Sequence, residues 1–160
     1  MTISVKTIIF TAAIIGAVAL ATQTFMNSST ESVNWTYIDP TNKQLVAEGQ
    51  PIYAAHCATC HGVNLEGEPN WRTRKPNGRL PAPPHDATGH TWHHADALLI
   101  DITQHGLRPG ITAPVGYVSD MPAYKDLLST HEIHAVLAYI KSSWPKHAVE
   151  QQKALTLHKQ

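Results

Sequence analysis

Cysteine is scarce in this chain, with two in 160 residues. Small exported scaffolds held by disulfides carry several pairs, and a zinc site with four cysteines needs a second pair, so neither is built here. Charge is also thin. Charged residues make up 15%, and 12 basic side chains face 12 acidic ones. That balance gives no electrostatic case for a nucleic-acid partner. Strand-like alternation never extends beyond a few residues, no repeat is present, and no βαβ alternation surrounds the cysteines. A thioredoxin-type dithiol therefore lacks its usual context. Long apolar runs are missing except one of 14 residues, Ile8 to Ala21. A membrane span needs about 20.

Histidine and proline are plentiful, with 11 of each. Both cysteines fall in one five-residue stretch, Cys57-Ala58-Thr59-Cys60-His61. Chance gives this spacing with a following histidine on the order of once in a thousand arrangements. A local disulfide would staple almost nothing, because loop-closure entropy grows with loop length. A Cys₂His₂ zinc site borrowing distant histidines stays open as an alternative. The pattern suits covalent haem attachment best. On a helical turn, residues i and i+3 share a face. The two sulfurs can reach one edge of a porphyrin, and His61 can turn beneath the ring to bind iron.

The N-terminal stretch reads as targeting. Lys6 is the only charge before residue 22, and the apolar run ends in Ala19-Leu20-Ala21, an A-x-A cleavage pattern. Residues 1–21 are expected to be a cleaved signal peptide, with an uncleaved N-terminal anchor as the alternative. In either case the rest is exported, to the periplasm or the outer face of the cytoplasmic membrane, and an uncleaved segment would tether it. Without residues 1–21 the net charge is about −1. Residues 22–41 read as a linker, 42–145 as the single folded domain, and 146–160 as a tail, helical at most and not packed.

Thr41-Asn42-Lys43-Gln44 has the form of a capping box opening a helix that runs to the cysteine motif. Leu45, Val46, Gly49, Ile52, Tyr53 and His56 lie on or near one face of it. Pro51 should kink this helix or delay its start. Residues 62–90, crowded with proline and glycine, form a long loop. "ADALLIDITQHG" gives a short helix closed by Gly106. Ser129 and Glu132 form a second capping box, opening a helix through Ser143 whose core positions are Ile133, Val136, Leu137 and Ile140. Trp144-Pro145 ends it. The fold class is all-α.

With these residues in view, positions 42–144 resemble a monohaem class I cytochrome c of the bacterial exported type. The resemblance rests on "CATCHG", on Gly49 and Tyr53 in the helix before it, on "SDMPAY" at 119–124, and on "AVLAYI" at 135–140. It implies a small cytochrome c-like fold, with helices wrapped around one covalently attached haem c and long connecting loops. Cys57 and Cys60 would carry the haem, and His61 and Met121 would be the axial iron ligands. Gly49 and Tyr53 would meet Val136 and Tyr139 where the first and last helices cross. Tyr124 would belong to the haem environment. The resemblance also implies a proline carbonyl as acceptor for the proximal histidine. Pro83 is expected to fill this role, with Pro84 next in line, and His85 stands where the family often has leucine. Arg72 and Arg74 either pair with haem propionates or are ordinary loop charges.

Apart from Met1 and Met26, Met121 is the only methionine, and it lies before a proline in an irregular segment. A His/Met pair raises the haem potential relative to two histidines and leaves the iron coordinatively full, which favours electron transfer. The expected function is therefore that of an electron carrier and not an enzyme, serving redox partner proteins. Two alternatives stand beside it. One is a haem protein with an exchangeable distal ligand, a gas sensor or a peroxidase-like enzyme. The other is an exported metal-handling protein using His85, His90, His93 and His94, which are more simply read as polar loop residues.

Overall fold

The computed structural model describes residues 37–158. The signal or anchor segment and most of the linker lie outside the described residues. Helix α1 runs Lys43–His56, α2 is the single turn Ala58–His61, a 3₁₀ turn covers Thr91–His93, α3 is Asp96–His105, α4 is Thr130–Ser142 and α5 is Lys146–His158. Among the described residues there is no strand, only an isolated bridge between Pro109 and Ala113. The all-α expectation holds.

Helix α1 starts one residue later than the capping-box pattern implied. Asn42 is the N-cap, and its side-chain oxygen accepts from the Leu45 N–H at 3.1 Å. Thr41 is used differently, donating its hydroxyl to Asp39 at 2.8 Å. Pro51 neither stops nor delays the helix, since α1 is continuous through it from Lys43. Proline costs a helix its own N–H bond, but here the ring is exposed and the helix is held by its other face. That face carries Leu45, Gly49 and Tyr53, four residues apart and buried.

Helix α4 is the central element. Ser129 and Glu132 form the expected reciprocal capping box, and Ile133 to Ala138, Ile140 and Lys141 are buried. It crosses α1 at Gly49, where a Cβ would stand 2.0 Å from the Ala135 carbonyl oxygen. Only hydrogen lets the two backbones approach this closely. One turn along, Tyr53 and Tyr139 pack with ring centroids 5.4 Å apart. The crossing thus uses the residues the resemblance named.

The tail expectation is corrected. Residues 146–158 form a full helix that buries Ala148, Gln152 and Thr156. A polar network explains why it docks. Asp96 and Lys141 are both buried, with Lys141 Nζ 2.8 Å from Asp96 Oδ1. Asp96 also accepts from Gln152 Nε2 at 2.6 Å and from the Ile38 N–H at 2.7 Å. Its own N–H donates to Thr156 Oγ1 at 3.1 Å. Burial pulls the Lys141 ammonium down to about 8, against the opposing pull of Asp96. Two buried charges are tolerable only when their remaining hydrogen-bonding capacity is met. Helix α5 and the segment before α1 supply those partners. Residues 37–41 are therefore part of the fold and not linker, with Ile38 fully buried. Among the described residues no helix is long and apolar enough to cross a membrane.

Candidate functional site

Helix α1 passes into α2 through Cys57, whose N–H donates to Tyr53 O at 2.9 Å and whose carbonyl accepts from the His61 N–H at 2.9 Å. This makes 57–61 one helical turn and sets Cys57 and Cys60 on the same side of it. Gly62 ends the turn at φ +81°, and its carbonyl accepts from the buried Tyr53 hydroxyl at 2.8 Å. Both cysteines are free, Cys57 half-buried and Cys60 exposed. Burial pushes the Cys57 thiol up to about 11, and the neighbouring Cys60 adds to this. A dithiol redox centre needs a thiolate of lowered pKa. Cys57 has the opposite character, which counts against the thioredoxin-type reading.

His61 is 8% exposed. Its Nδ1 lies 2.8 Å from the Pro83 carbonyl oxygen, the acceptor expected from the sequence. A carbonyl can only accept, so Nδ1 carries the proton and Nε2 keeps its lone pair for a metal. Burial lowers the His61 pKa, with the Pro83 bond and Glu68 pulling the other way. The ring is thus a neutral imidazole in the tautomer that a metal requires.

Pro83 is held in place by residues that sequence reasoning did not single out. Gly67, at φ +68°, approaches the Ala82–Pro84 backbone so closely that a Cβ would lie 2.5 Å from Pro84 N. Glu68 accepts from the Ala82 N–H at 2.6 Å and from Lys75 at 3.0 Å, while its own N–H donates to Ala82 O at 2.9 Å. The Ala82 bond and then Lys75 hold the Glu68 carboxyl below its ordinary range. A charge pair inside a proline-rich loop was the only trace of this in the sequence.

The segment that carries Met121 reaches the motif through Tyr124. Tyr124 donates its hydroxyl to His56 O at 2.7 Å. Its pKa is raised by burial and then by Cys57 and Cys60, so the phenol lies close to the cysteine pair. The Tyr124 and Lys125 N–H groups bond the carbonyls of Thr103 and Gln104 at the end of α3. Met121 is half-buried, with its N–H on Ser119 Oγ at 3.0 Å. An ion pair between Arg79 and Asp120 ties this segment to the 62–90 loop.

Arg72 and Arg74 are exposed and engaged within loops. Arg72 lies over the Trp71 ring at 3.9 Å, and Arg74 donates to Gly78 O at 2.6 Å. The 85–94 histidines are spread over different aromatic partners. His85 stacks on His61, His90 on Trp71 and His93 on Trp92. Among the described residues no three His, Cys, Asp or Glu side chains are grouped to hold a metal ion.

A helical turn with two thiols on one side, a buried neutral imidazole and a neighbouring segment that carries a thioether fit a covalently held haem. Comparison by family model agrees, since the model described as Cytochrome c matches residues 46–144. The chain belongs to the cytochrome c family, class I. The cofactor of that family is covalently attached haem c, its members carry out haem-based electron transfer, and they are typically electron carriers. No curated protein and no solved structure matches the chain.

Proposed function

We propose that the protein is an exported electron carrier with one haem c, fastened through Cys57 and Cys60, whose iron is held between His61 and Met121. Bound haem c supplies a one-electron iron couple. The residues do the rest. Cys57 and Cys60 would hold the haem, each S–H adding across a vinyl group to give a thioether. His61 Nε2 would serve as a fixed neutral donor to its iron, and the Met121 sulfur would favour the ferrous state. A full coordination sphere leaves no site for substrate, which favours a carrier over an enzyme and redox proteins as partners. Export rests on the N-terminal sequence, in either the cleaved or the tethered form.

The observation that carries the proposal is the bond from His61 Nδ1 to the Pro83 carbonyl at 2.8 Å, because it fixes the ligating tautomer. The stack of His85 on His61 counts against His85 as the second iron ligand. Two imidazoles on opposite sides of one iron would have ring centres roughly 6 Å apart, given metal–nitrogen bonds of about 2 Å. The two rings here are 3.9 Å apart and face to face.

Met121→Ala tests the ligand set. The variant should bind carbon monoxide when reduced and have a lower potential, measured by redox titration. An unchanged potential and no carbon monoxide binding would mean that another residue is the sixth ligand.

A further inference from the structure

The stretch Pro83-Pro84-His85 touches the His61 ring twice. The Pro83 carbonyl meets its edge at Nδ1, and the His85 ring lies on its face, with centroids 3.9 Å apart and planes 22° apart. His85 is itself fixed from three directions. Its N–H donates to Leu65 O at 2.7 Å, its carbonyl accepts from Trp144 Nε1 at 2.7 Å, and its Nδ1 lies 2.8 Å from Thr91 Oγ1. Thr91 and Trp144 are both buried, so these partners are rigid. A leucine in this place could fill the volume. It could neither bond Thr91 nor present a flat face.

The two contacts constrain different motions. A hydrogen bond tolerates tens of degrees of angular error before it weakens steeply. The Pro83 bond therefore fixes which nitrogen is protonated but sets the ring plane only loosely. A second ring at van der Waals distance resists rotation of His61 out of its plane. In a bound ferric haem the plane of the ligating imidazole would contribute, together with the other iron ligand, to how the iron d orbitals split, and so to the magnetic axes and the reduction potential.

We propose that His85 is a positioning residue: clamped by Thr91 and the Trp144 indole, it sets the plane of the His61 imidazole at the iron. This rests on the reading of His61 as an iron ligand. The test uses the full holoprotein labelled with ¹⁵N-histidine and oxidised to the ferric state. Wild type should show His61 ring resonances displaced far from the diamagnetic range by the iron. His85→Leu should change the pattern of those displaced resonances and shift the potential, whereas His85→Phe, which keeps a flat face, should change them less. Thr91→Val removes the clamp and leaves the His85 ring, and it should give a smaller change of the same kind. It decides the matter if His85→Leu fails to fold. If the displaced His61 resonances stay at their wild-type positions in every folded variant, the proposal is overturned, even where thermal stability falls. If wild type shows no displaced His61 resonances, the ligand reading itself has failed, a result distinct from the first.

Discussion

A proline carbonyl can only accept a hydrogen bond, and that fact assigns the proton on His61. The residues beside it are equally constrained. Cys57 and Cys60 share a side of one turn, and burial keeps the Cys57 sulfur a thiol at neutral pH. Both cysteines should therefore end as thioethers to haem c, and the denatured chain should keep its haem on a gel. Quantitative release of haem by acid–acetone would rule out covalent attachment. At this scale the sequence was readable where chemistry is local. The motif 57–61 follows from spacing, and Pro83 follows from the resemblance and from what a proline can offer. Glu68, Gly67, Thr91 and Trp144 were not readable. Their roles come from contacts across loops, such as the indole of Trp144 on the carbonyl of His85, and no periodicity marks a side chain that serves a loop.

Helices α1 and α4 set the spacing of everything else, and their contact depends on the absence of a side chain. Gly49→Ala would drive a methyl group to 2.0 Å from the Ala135 carbonyl oxygen, where backbone cannot yield cheaply. The cost should be about 1–3 kcal/mol or more. Gln50→Ala, on the exposed side of the same helix, should stay within about 0.5 kcal/mol. Denaturant unfolding of the two variants compares them directly, and equal midpoints would mean that the helices do not cross at Gly49. Amphipathic spacing and the Ser129–Glu132 capping box made α1 and α4 visible in advance. The docking of helix α5 was missed because its inward face carries Ala148, Gln152 and Thr156, with little apolar character. The helix is held through the buried pair of Asp96 and Lys141, which lie 45 positions apart, with Gln152 of α5 56 positions from Asp96. The same pair draws in Ile38 and turns the last residues of an apparent linker into core. Pro51 does not delay the helix, because packing of the Leu45–Gly49–Tyr53 face outweighs one lost helix bond.

For the molecule as a whole, buried neutral histidines make acid a destabilising agent. Burial holds His134 down at about 4, against an ordinary value of 6.5. Burial lowers His61 and His85 as well. For such a group the unfolded chain takes up its proton first as pH falls. Stability should therefore decline from about pH 6.5 downward and flatten near pH 4 for His134, with no contribution to the slope at higher pH. Unfolding measured across this range should show a shallower decline in His134→Leu. An identical slope would mean that His134 is not the buried titrating group. The fold class and the haem motif were legible because helix period and the C-x-x-C-H pattern are properties of short stretches. How the long loop closes over His61 was not, since it depends on pairings such as Glu68 with Ala82 and Arg79 with Asp120. The second pairing places the Met121 segment and the proximal loop side by side, and the proposed electron-transfer function depends on it. The ferric absorption spectrum of the full-length protein is the most direct test. Iron held by His61 and Met121 should give a low-spin spectrum with the weak far-red band that marks methionine ligation in this family. A high-spin spectrum, or a low-spin one without that band, would contradict the His61–Met121 carrier.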